Sequence, residues 1–125
     1  MENKAIAVLK KIASDPTNIH EVEKVGDEFY FRYKGHVMSV MCNPKRGSQY
    51  GDYSLFIYPD WTDKIKVLSQ YPFDGSPDEP KMLSVHCAHF PSQYRSAFEE
   101  AFKTVQGTYI EVNLGSVFDD ILSEK

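Results

Sequence analysis

The run Glu28–Lys34 restricts this chain more than any other stretch, because Phe29, Phe31 and Tyr33 alternate with Tyr30, Arg32 and Lys34. A period of two sends the first three side chains to one face of an extended strand and the second three to the other. Gly35 follows, a residue free to take positive φ, and Val37–Cys42 returns as the partner strand, so a β-hairpin is predicted. Tyr53–Tyr58 supplies a third strand, with Tyr53, Leu55 and Ile57 on one side and Phe56 and Tyr58 on the other. Apolarity on both sides marks a central strand covered on both faces. Lys81–His89 reads as a further strand, with Leu83, Val85, Cys87 and His89 facing one way. Ile19–Val25 is ambiguous and fits a short edge strand, closed by a turn at Gly26-Asp27.

Helical spacing appears elsewhere. Ala5, Val8, Leu9 and Ile12 fall at i, i+3, i+4 and i+7, which predicts a helix over residues 2–14, ended by Ser14-Asp15-Pro16. Tyr94, Ala97, Phe98, Ala101, Phe102 and Val105 make an unbroken helical stripe over 92–106, with Glu99 and Lys103 paired at i,i+4 and Gly107 placed to end it. Residues 63–70 are read as a short helix capped by Thr62 in preference to a strand. Residues 108–114 alternate as a strand or extended connection, and Ser116 caps a last helix on which Val117, Phe118, Ile121 and Leu122 share a face. Lys45–Asp52 and Tyr71–Pro80 are polar loops. The order predicts a single α+β domain over 1–125: a mainly antiparallel sheet of four to five strands, with an N-terminal helix and two C-terminal helices on one face.

At 125 residues the chain is long enough for one ordinary core. No apolar run approaches a membrane span, and Met1–Ala5 lacks the start of a signal peptide, so a cytoplasmic protein is expected. Two cysteines, Cys42 and Cys87, make no disulfide framework. The formal charge of −4 is unevenly spread: residues 1–50 carry eight Lys/Arg against six Asp/Glu, and residues 51–125 carry six against twelve. Lys45-Arg46 is the one tight basic pair outside the first helix, so a nucleic-acid partner is disfavoured.

Candidate chemistry is sparse. His86-Cys87-Ala88-His89 places thiol and imidazole close together, but on a strand His86 and His89 point to opposite faces and cannot clamp one metal. Cys87, His89 and Cys42 give three zinc-type ligands at best, and a mid-strand Cys87 lacks the cation or helix terminus that lowers a nucleophile's pKa. A hydrogen-bonded structural role is the expectation, with no cofactor. The chain has no phosphate loop, nucleophile elbow, zinc-protease motif or EF-hand spacing. Asp119 and Asp120 diverge by about 100° on a helix and make no acid–base pair.

The aromatic surplus points to binding instead. Tyr30, Arg32 and Lys34 form a strip opposite Phe29, Phe31 and Tyr33, and Tyr50, Trp61 and Tyr71 lie in loops beside it. Tyr, Trp and Arg dominate interface hot spots, and Asp74, Asp78 and Glu79 add acidic steering. The expected function is therefore non-enzymatic protein–protein interaction, as in an inhibitor, immunity-type or antagonist protein that masks a partner's surface. Sequestration of a small molecule or nucleotide is the alternative, and a small enzyme or metal protein using His86, Cys87 and His89 is the third. Open sheet edges make a homodimer plausible.

Overall fold

The computed structural model describes residues 3–43, 53–71, 75 and 79–123. Five strands, β1 (Ile19–Val25), β2 (Glu28–Tyr33), β3 (His36–Cys42), β4 (Tyr53–Ile57) and β5 (Leu83–His86), form one antiparallel sheet in the order β1-β2-β3-β4-β5. The α+β class, the N-terminal helix and the two-faced interior strand β4 are as the sequence predicts. Lys34 and Gly35 both take positive φ, 49° and 82°, the conformation whose twist suits a two-residue hairpin. The ambiguous segment 19–25 is an edge strand whose register shifts between His20 and Glu23, with Glu21 at φ 56°. Such a bulge makes an outer edge a poor template for another strand.

Period-two alternation sorts the sheet into two faces. Phe29, Phe31, Val40 and Leu55 join the larger core, closed by α1 (Lys4–Ala13) and α3 (Arg95–Leu122). The Asn3 side chain accepts from the Ala5 N–H at 2.7 Å and caps α1. Ile6, Leu9 and Ile12 of α1 are buried, and Thr104 Oγ1 of α3 donates to the Ala13 carbonyl at 3.0 Å.

The opposite face is covered too, in keeping with the two-sided apolarity of β4 but against the expectation of helices on one face only. Tyr30, Val37 and Tyr58 pack beneath α2 (Ile65–Ser69), whose Ile65 and Leu68 are buried against them. The α2 cap comes from elsewhere than Thr62: Lys64 is the cap residue, and Glu21 Oε2 accepts from the Ile65 N–H at 3.3 Å. The two expected C-terminal helices on one face are thus a single α3 beside α1, with α2 on the other side.

Helix α3 is the main departure. It runs unbroken for 28 residues through Gly107 and Gly115, where a helix end, a strand over 108–114 and a second helix were expected. Glycine destabilises a helix interior by roughly 0.5–1 kcal/mol without forbidding it, so glycine alone did not decide the boundary. Phe102, Val105, Tyr109 and Val112 carry helical spacing across Gly107, and Ile110, Leu114, Val117 and Ile121 carry it across Gly115; that spacing is what the backbone follows.

A polar cluster lies in the smaller core. The Tyr30 hydroxyl donates to Glu28 Oε1 at 3.2 Å, Ser39 Oγ donates to Glu28 Oε2, and the Ser39 and Tyr58 hydroxyls are 3.2 Å apart. Burial pushes the Glu28 carboxyl above its ordinary value, opposed by the two hydroxyl hydrogen bonds. Burial also pushes the Tyr58 phenol up to about 12.

Two consequences are measurable. A Cβ at Gly115 meets nothing within 4 Å, so Gly115→Ala is expected to stabilise by roughly 0.5–1 kcal/mol, read as a melting-temperature rise of about 2–6 °C. The raised Glu28 pKa means the folded state holds a proton that the unfolded state releases just above pH 4.5, so this group's contribution falls as pH rises through that window. In Glu28→Gln that fall disappears, and the urea midpoint at pH 7 equals or exceeds that of the parent. A variant less stable at pH 7 with an unchanged pH slope would refute this.

Candidate interaction surface

The strip expected on the sheet is present but covered. Tyr30 is 5% exposed, its ring 6.0 Å from that of Tyr58. Arg32, half-buried, donates from Nε to Glu21 Oε1 and from Nη2 to the Asp63 carbonyl, both at 3.0 Å. Its guanidinium therefore ties β1 and β2 to the segment before α2. The Arg32 contact and the bond to Ile65 hold the Glu21 carboxyl below its ordinary value against desolvation, the largest influence, which acts upward. Trp61 Nε1 donates to the Lys64 carbonyl at 3.2 Å, and its ring meets Tyr71 edge-on at 6.2 Å. These aromatics gather on one side of the sheet as expected, but as a layer that seals the smaller core. The expectation of an open face is corrected: an apolar Tyr ring beside Val37 is covered by α2 before it is offered to a partner.

The remaining candidates scatter. Lys34 is exposed at the hairpin tip, 3.9 Å from Asp15 Oδ2. Glu79 accepts from the Gly75 N–H at 2.6 Å. Tyr50, Asp74 and Asp78 lie outside the described residues.

The 86–89 segment also differs from its reading. Strand β5 stops at His86, and Cys87–His89 form a 3₁₀ turn that swings His89 back beside His86, ring centroids 5.3 Å apart. The turn thus brings to one place two imidazoles that a continuing strand would hold apart. Cys87 turns into the larger core. His86 Nδ1 lies 2.8 Å from the Ser54 hydroxyl, and burial together with His89 lowers its pKa. A shallow groove of about 420 Å³ runs along this edge. Among the described residues no three metal-ligating side chains converge.

One surface was not singled out in advance. At 100° per residue, Ala97, Phe98, Ala101 and Val105 form the face of α3 that meets the larger core. Ile110, Leu114, Val117, Phe118 and Ile121 centre roughly 170° away, on the face turned from the sheet. They are between 42% and 61% exposed, and Leu122 at the edge of the stripe is 82% exposed. The positions that continue the core-facing line are Val112, Ser116, Asp119 and Ser123, polar after the first. The helix therefore exchanges its apolar face as it leaves the sheet: inward before Val105, outward after Ile110. Splitting 108–122 into strand and helix hid this stripe. Read as one helix, its i, i+4, i+7, i+8, i+11 spacing would have exposed it.

With this geometry in view, no known family model, curated protein or solved structure matches the chain.

Proposed function

We propose that this protein works by binding another protein, and that the outward apolar stripe of α3 is the surface that does so. The carrying observation is five large apolar side chains, Ile110, Leu114, Val117, Phe118 and Ile121, aligned on a helix face that its own sheet does not cover. Contiguous exposed apolar area of several hundred Å² marks an interaction site in soluble proteins. A helix presenting i, i+4, i+7 anchors is a recurrent way of meeting a partner. The helix also needs such a partner for its own sake. Two glycines weaken it, and Asp119 and Asp120 stand at its C-terminal end, where the helix dipole disfavours negative charge. The reading goes with a non-enzymatic role, in a reducing compartment where Cys42 and Cys87 stay thiols.

A second reading, sequestration of a small anionic ligand such as a nucleotide, draws on a groove of about 580 Å³ beside β1. His20, Lys64 and Lys66 line it with Ile19 and Val112, and of the two carboxylates on its wall, Glu21 and Glu23, the first is engaged by Arg32.

The first reading is tested by sedimentation of the wild type and of Leu114→Ser/Phe118→Ser, each pure and in extract of its source cells. The wild type is expected to sediment as more than a 14.3 kDa monomer in at least one setting, and the variant as a folded monomer in both. A wild type monomeric in both removes the reading. For the second, a thermal-shift screen of ribonucleotides is expected to raise the melting temperature by at least 2 °C; no rise at millimolar ligand rejects it.

A further inference from the structure

Resting on the binding role of the α3 stripe, we infer that its occupant is a second copy of this chain, docked antiparallel along residues 107–122 to form a two-fold dimer. Gly107, Ile110, Leu114, Phe118 and Ile121 are spaced three, four, four and three residues along one helix face, a line that reads the same in both directions about Leu114. A seam of this kind is self-complementary, as a two-fold interface requires.

Area agrees. With Leu122, the stripe offers roughly 600 Å² of apolar side chain per copy, against the ~800 Å² each partner gives a standard interface. The polar neighbours Gln106, Glu111 and Asn113 are placed to supply the rim. Geometry agrees as well, because the sheet and α1 lie on other sides of α3, so two stripes meet without the bodies colliding.

Charge selects the antiparallel sense. At the N-terminal end of the outward face Lys103 is already paired with Glu99 at 2.8 Å, and Asp119 and Asp120 lie at the other end of the helix. Between residues 104 and 123 there are acids at 111, 119 and 120 and no Lys or Arg. Parallel copies set those acids side by side, whereas antiparallel copies move the Asp119-Asp120 pairs of the two chains to opposite ends of the contact and oppose the helix dipoles. A two-fold axis near Leu114 then places Ile110 against Phe118, and Gly107 against Ile121, of the second copy. Gly107 has open space around its Cα, and the absent side chain is what lets Ile121 approach.

The test is light scattering of the pure full-length chain over about 1–100 µM, with circular dichroism and urea unfolding to check folding. The wild type is expected at twice 14.3 kDa, and Leu114→Asp/Phe118→Asp as a folded monomer. Gly107→Leu, which meets no atom of its own chain, is expected to weaken the dimer at least tenfold while the body stays folded. Under mild oxidation Leu114→Cys cross-links to itself, whereas Ile121→Cys does not, the two being about 21 Å apart in antiparallel copies. Cross-linking at both positions overturns the antiparallel arrangement. A dimer that survives the double aspartate change overturns the choice of face. A wild type that stays monomeric when pure overturns the inference. If that monomer gains mass only in cell extract, the protein-binding role stands with a different partner. If it instead floats with phosphatidylcholine vesicles, or gains mass nowhere, both fall.

Discussion

Everything in this structure depends on strands β2, β3 and β4 being apolar on both faces. A half-polar antiparallel sheet is complete with helices on one side, whereas this one has two apolar faces to remove from water. Phe29, Phe31, Val40 and Leu55 require α1 and α3, and Tyr30, Val37 and Tyr58 require α2. The two coverings are linked through the bulged strand β1. Glu21 takes left-handed φ there, and from that position its carboxylate accepts both Arg32 Nε and the first N–H of α2. A regular β1 would send this side chain elsewhere, leaving α2 without that cap and Arg32 without its partner. The bulge thus acts at once as protection of the sheet edge and as the anchor of the smaller core.

The smaller core is the less apolar of the two, with consequences for how the fold tolerates change. Glu28, Ser39, Tyr30 and Tyr58 form a hydrogen-bonded set between sheet and cover. Neighbouring rows on this face, Tyr30–Ser39–Phe56 and Glu28–Met41–Ser54, set polar side chains beside apolar ones. Buried groups of this kind fix geometry more than they add stability, because each must keep its partner once water is gone. Among the described residues no buried side-chain polar atom lacks one. Asp15 plays a related part at the end of α1: hydrogen bonds from Tyr33 and Asn18, with Lys34 nearby, outweigh desolvation and hold its carboxyl below the ordinary value.

What the sequence made legible follows from the range of the forces involved. The hairpin 28–42 announces itself because alternation and a positive-φ glycine act within a few residues. Likewise α1 and the first half of α3 show because a buried stripe repeats every 3.6 residues. The cover over Tyr30 was not legible, since α2 has five residues and docks through a contact from Glu21, 44 positions away. The turn at Cys87–His89 was hidden by a period of two that ran on past the end of β5. The break assigned at Gly107 came from weighing a local glycine preference against a longer periodicity, and the longer one prevailed.

That periodicity explains why α3 has an uncovered half. Its 28 residues span roughly 42 Å at 1.5 Å per residue. Five strands at about 4.8 Å spacing place the outer two only about 19 Å apart. The helix crosses from β4, where Arg95 lies 5.3 Å over Tyr53, to β1, where Val112 borders the groove beside Ile19 and Val22. Past that point the sheet has ended. A sequence built only to cover its own sheet would turn polar on every side from there, or stop. This one turns polar on the inner side alone, at Ser116, Asp119 and Ser123, and becomes apolar on the outer side. The change of face falls where the helix runs out of sheet, so the second stripe is not a continuation of the core but a surface with its own orientation.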